Sequence, residues 1–101
     1  MSELDAEIPD DVFYVVVGTR IRFRHWCMEK GWHPDNPALR NVVRHVGSDR
    51  DIQWLRGYGE GKRWVIVEVF DPRDAFAWDP IVGELHLLER LMNDRLEAEV
   101  R

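Results

Sequence analysis

The chain has 101 residues, enough for one domain that buries roughly two-thirds of its unfolded surface. Hydrophobic residues make up 45% and charged residues 33%, with five tryptophans, which excludes an intrinsically disordered chain and argues for a packed core. The net charge of -5 conceals an uneven spread: residues 1–17 carry -5, residues 18–63 carry +5 and residues 64–101 again carry -5.

Two explanations fit a basic middle between acidic ends. It can be the footprint of an acidic partner such as nucleic acid, or it can be answered inside the chain by the acidic ends folding over it. Arginine outnumbers lysine twelve to two. A GC-rich genome explains that bias most simply, and the chain would suit an accessory protein of a high-GC bacterium or its phage. The longest apolar run, Val12–Val17, is far short of the ~20 residues a membrane-spanning helix needs. The acidic start is unlike a secretory signal, and a single cysteine, Cys27, forms no internal disulfide, so a cytoplasmic location is expected.

Residues 1–11 read as a flexible acidic arm ahead of one domain over 12–101. Val12–Val17, "VFYVVV", is six strand-favouring residues, apolar on both faces, and reads as a buried strand. A helix to Lys30, closed by Gly31, follows most naturally. One long helix from Asp10 or Asp11, or a hairpin turning at Gly18-Thr19, are the alternatives. In the helical reading Arg22 lies on the polar side, whereas Arg20 and Arg24 fall within the apolar sector and need a partner.

Further on, Asn36 as N-cap, Pro37 at the first helical position and Leu39, Val42, Val43 and Val46 predict a helix over 37–46 ending at Gly47. The next stretch reads either as a short helix capped by Ser48 or Asp49, or as a strand over 52–58. Arg63–Phe70 is the clearest strand, with Val65, Val67 and Val69 on one face and Trp64, Ile66 and Phe70 on the other. After a turn-rich connector, Asp79-Pro80 opens a long terminal helix striped by Ile81, Leu85, Leu88, Met92 and Leu96 and widened by Leu87 and Leu91. The expected class is therefore α+β: a small sheet packed with two or three short helices and a long C-terminal helix.

No motif points to catalysis. The histidines, His25, His33, His45 and His86, lack metal-ligand spacing with one another or with Cys27, and the Gly57, Gly59, Gly61 cluster lacks the context of a phosphate loop. No metal, cofactor or catalytic residue is expected. Two binding roles remain.

The first is a protein-binding, regulatory module. Trp, Tyr and Arg anchor interfaces, and Arg20, Arg22, Arg24, Trp26 and Trp32 would form its partner surface. The terminal helix, wider in stripe than one flank of a small sheet needs, would offer a homodimer contact, unless it simply closes the domain's own sheet.

The second role follows from a resemblance. Over residues 18–57, the Gly-x-Arg-Ile-Arg opening, Gly31, the apolar helix 37–46, Gly47 and a polar-capped third helix resemble a Cro/phage-repressor-type helix-turn-helix domain. That resemblance implies a DNA-binding regulator whose third helix enters the major groove, with Arg44, Arg50, Gln53 and Arg56 as contact candidates. The chain departs from the family at Val43, where a small residue is usual, and at Asp49 and Asp51, which would face the DNA backbone.

Overall fold

The computed structural model describes residues 6–45 and 49–100. Its elements run β1 (Val12–Val17), α1 (Arg20–Glu29), β2 (Val42–His45), α2 (Asp49–Tyr58), β3 (Arg63–Glu68), a short 3-10 turn (Pro72–Asp74) and α3 (Ala75–Val100). This is the expected α+β class, with a small sheet and a long terminal helix. The three strands are all parallel, in the order β2-β1-β3.

β1 takes the centre because both of its faces are apolar, and Phe13, Val15, Val16 and Val17 are fully buried. Parallel neighbours require crossovers, and helices supply them. On one face Cys27 of α1 packs with Val16, Trp32 and Val42, with Phe23, Trp26 and Val67 around them. On the other, Phe13, Val15, Val17 and Trp64 pack under Leu55 of α2 and Val82, Leu85, Leu88 and Met92 of α3. The alternation foreseen along β3 holds: Trp64 and Ile66 join the α2/α3 side, and Val67 and Val69 the α1 side.

The strand-then-helix reading of residues 12–30 is the one realised. Thr19 caps α1 by accepting the Arg22 N–H, and Gly31, at φ 84°, turns the chain out of the helix in the left-handed region that suits glycine.

Three expectations about elements are corrected. The helix expected over 37–46 is not formed in its described residues, 37–45, which are a turn and then strand β2 where the helix-turn-helix resemblance needs the first helix of its pair. Asn36 does use its side chain as a cap would, accepting the Ala38 N–H at 2.9 Å, and its carbonyl accepts the Leu39 N–H at 3.0 Å. The chain then leaves this turn as strand β2, in register with Tyr14–Val17. Four ladder positions beside a wholly apolar strand outweigh the local helical signal. The strand alternative over 52–58 gives way to α2, whose tight approach to the sheet rests on Gly59: a Cβ there would stand 2.5 Å from the Phe13 ring and 2.8 Å from Trp64. The caps expected at Gly47 and Ser48 lie outside the described residues. Finally, the terminal helix begins at Ala75 rather than at Asp79-Pro80. Asp71 caps the preceding 3-10 turn, and Pro80 is carried inside the helix, where it has no N–H for the exposed Phe76 carbonyl four residues back, which is left to water.

α3 also closes one edge of the sheet. The Arg63 N–H bonds the carbonyl of Asp11, just ahead of β1, and the N–H of Val69, just past β3, bonds that of Val17, so the N–H groups of Trp64 and Ile66 point the other way. Asn93 accepts the Trp64 N–H at 2.7 Å and donates to the Trp64 carbonyl at 3.0 Å, while Glu89 accepts the Ile66 N–H at 2.8 Å. Four helical residues rise about 6.0 Å and two strand residues about 6.6 Å, so side chains four apart on α3 meet alternate residues of β3. The next step along brings His86 to 3.1 Å from Glu89 and 3.9 Å from Glu68.

Residues 6–11 lie along the α1 side. The Ala6 N–H bonds the Gly31 carbonyl, Trp32 Nε1 donates to the Glu7 carbonyl, and Asn41 Nδ2 donates to the Asp10 carbonyl. No helix among the described residues is long and apolar enough to cross a membrane.

Candidate interaction surface

The arginines of α1 are answered largely within the chain. Arg24 forms a two-pronged pair with Asp35, at 2.8 and 3.1 Å. That hydrogen bond holds the Asp35 carboxyl below its ordinary range and raises the Arg24 guanidinium, and the charges of Arg24, His33 and Arg20 push Asp35 the same way. Arg22 reaches across to the acidic last third of the chain, meeting Asp71 at 3.3 Å and the Val69 carbonyl at 3.4 Å. Asp71 is held in turn by Arg73 at 2.9 Å, whose hydrogen bonds keep its carboxyl low. Arg20 stands exposed at the start of the helix. The basic middle is thus partly neutralised from inside, Arg22 by an acidic end and Arg24 by an acid of the middle segment itself.

Trp26 and Trp32 do come together, but as packing. With Tyr14 they form a triangle of rings with centroids 5.5–5.6 Å apart, in which Trp32 is buried and Trp26 half-buried. Lys30 lies over the Trp26 ring at 5.8 Å. Beneath them the Cys27 thiol is buried, which pushes its pKa up to about 11 and leaves it inert at neutral pH. Of the residues proposed for contact with DNA, Arg44 is half-buried on β2 and donates to the Gly18 carbonyl at 3.4 Å, so it is spent on the sheet. Gln53 and Arg56 are exposed on α2. Arg50 lies in α2 with its side chain outside the described residues.

A different constellation stands free. Trp54 and Tyr58, four apart on α2, stack with centroids 4.8 Å apart and planes 21° from parallel, yet remain 56% and 43% exposed. Tyr58 borders a cleft of about 450 Å³ whose wall also includes Arg40, Lys62, Asn41 and Asp10. The cleft is built at the leading ends of the parallel strands, where β1, β2 and β3 all begin. Asn41 is its rigid part: buried, it donates to the Asp10 carbonyl and accepts from Lys62 Nζ, which fixes the ammonium at the rim. The available chemistry is recognition, with a flat apolar platform beside two cations.

The pairing of Trp54 with Tyr58 is not among the features expected from the sequence. The i, i+4 spacing of two aromatics was the signal, and it counts only once the segment is known to be helical. Among the described residues no group of three or more histidine, cysteine or acidic side chains is placed to hold a metal ion.

Compared with protein-family models, with curated proteins and with solved structures, the chain matches none. Its function is therefore read from its own geometry.

Proposed function

We propose that this chain is a non-catalytic interaction domain that binds a protein partner through an Arg/Trp surface centred on α2 and the adjoining cleft. The observation that carries the reading is the stacked Trp54–Tyr58 pair held in solvent, with Tyr58 bordering a cleft where two cations, Arg40 and Lys62, outnumber one acid, Asp10. Keeping two large rings exposed leaves apolar area unburied, at about 25 cal/mol per Å², and a partner would recover that area. The two cations favour a segment carrying carboxylates beside an apolar anchor, the arrangement found at interface hot spots.

Panning a random-peptide display library against the immobilised chain tests this. Acidic peptides with an aromatic or aliphatic anchor should be enriched, and binding should fall at least tenfold on Trp54→Ala and on Lys62→Glu. No enrichment, or enrichment indifferent to Trp54, would overturn the reading.

A second reading, contact with nucleic acid, is favoured by the exposed Gln53 and Arg56 on the same helix, since cations beside stacked aromatics also suit phosphate and base. It predicts binding of random duplex or single strand at ~50 mM salt that weakens steeply as salt rises and loses about one unit of salt slope on Arg56→Ala.

A further inference from the structure

α3 has two apolar faces, of which the domain uses one. Val82, Leu85, Leu88 and Met92 are buried against the sheet, whereas Leu87 is 71% exposed, Leu91 45% and Phe76 93%. At 100° per residue, Pro80, Gly83, Leu87, Leu91, Asp94 and Ala98 fall within an arc of about 80°, forming a seam about 27 Å long. All six are exposed, and their spacings of 3, 4, 4, 3 and 4 are those of a helix-pairing face. Asp94 is the only charged member.

From this face we infer that a second copy of the chain docks on α3, the two helices running antiparallel about a two-fold axis level with residue 89. The surface is self-complementary in that arrangement and in no parallel one. Leu87 comes level with Leu91 of the second copy, and Leu91 with its Leu87, so the two most apolar positions close the centre. Pro80 comes level with Ala98 of the second copy, a rigid ring against a small side chain. Asp94 comes within one residue's rise of Gly83 of the second copy, where open space surrounds the missing side chain and the carboxylate has room to reach water. On the flank, Glu84 comes within about 1.5 Å of the level of Arg95 of the second copy, opposite charges on the same side of the seam, and the two-fold repeats this pair; within its own chain Arg95 stands 3.7 Å from Glu60, an exposed pair from which it would turn or which it would share. A parallel pairing would instead set Asp94 against Asp94 and Glu84 against Glu84. A helix pair of this length buries on the order of 1,000 Å² in total, the lower limit of specific interfaces, so a concentration-dependent dimer is expected rather than an obligate one. The seam's leucines belong to α3 and the Trp54–Tyr58 pair to α2, so the substitutions that test the one proposal leave the residues of the other in place.

Sedimentation velocity of the full chain from ~5 to ~500 µM is the test. A concentration-dependent monomer–dimer equilibrium is expected. It should be lost on the combined substitution Leu87→Glu and Leu91→Glu, with circular dichroism and thermal midpoint unchanged because both side chains lie outside the core. Glu84→Lys should weaken the dimer about tenfold, and adding Arg95→Glu should restore it. A chain that stays monomeric at ~500 µM overturns the inference. So does a dimer that survives the leucine changes, or a charge exchange that fails to restore association.

Discussion

Removing Asn93 tests whether α3 is a structural member of the sheet or merely a helix lying beside it. Its side chain makes two hydrogen bonds to the backbone of Trp64, which is itself 1% exposed, so truncation leaves a shielded N–H and a shielded C=O without partners. Each orphaned group costs about 1–3 kcal/mol. Asn93 is only half-buried, however, so water can enter the space vacated and recover part of that, and alanine's better helix propensity returns about half a kcal/mol. The net expectation for Asn93→Ala is a loss of about 2 kcal/mol, and for a domain of this size a fall of about 10 °C in thermal midpoint. Urea unfolding followed by tryptophan fluorescence measures it, with an unchanged m value showing that the loss lies in the native state. Asn93→Asp keeps the acceptor for the Trp64 N–H but sets a carboxylate against its carbonyl, and should be no more stable than the alanine variant. A change below about 0.5 kcal/mol on Asn93→Ala would refute the edge-closing role.

Three further outcomes follow from the packing and the charges. Gly59→Ala places a methyl group 2.5 Å from the Phe13 ring and 2.8 Å from Trp64, and should cost about 1–3 kcal/mol in the same urea assay, whereas Gly57→Ala, with nothing near its added carbon, should be neutral or stabilising. With its pKa at about 11, Cys27 should be about 10⁻³ thiolate at pH 8 against about a quarter for a free thiol, so iodoacetamide should label the native chain at least a hundredfold more slowly than the urea-unfolded chain. Asp35 has its folded pKa depressed by Arg24, so its contribution is present at neutral pH and is lost as pH falls through the carboxylate range. The urea midpoint of the wild type should therefore drop more steeply between pH ~5 and ~2 than that of Asp35→Asn.

The sheet's centre and one of its edges are written locally. "VFYVVV" has no polar face to offer water, and the alternation in "RWVIVEVF" needs no partner to be read as a strand. The other edge is not written so. Asn36-Pro37 and the spacing of Leu39, Val42 and Val43 serve a turn followed by a two-faced strand as well as they serve a helix, and only the ladder with Tyr14–Val17 decides. The start of α3 is hidden by Pro80, because a proline ordinarily marks the first turn of a helix rather than its second. At the candidate site the chemistry of single residues was legible and their pairing was not. Nothing near Arg22 in the chain announces Asp71, 49 positions away, and Trp54 joins Tyr58 only on a helix. Arg22 and Arg24, expected on a partner surface, are consumed by the fold, while the Trp54–Tyr58 pair is left in solvent.

The order β2-β1-β3 has a consequence for the chain while it is being made. β1 is the first of the three strands, and six of its ten register pairs are with β3, some 51 residues later. At 5–20 residues per second a ribosome takes about 3–10 s to cover that distance. For that interval "VFYVVV", uncharged and free of proline and glycine, is the kind of hexapeptide that joins other chains as cross-β. Asp10 and Asp11 stand directly before it and Arg20 shortly after, where charges discourage such stacking. The acidic residues ahead of β1 then have a use that the finished fold does not reveal: guarding the strand before its second neighbour exists.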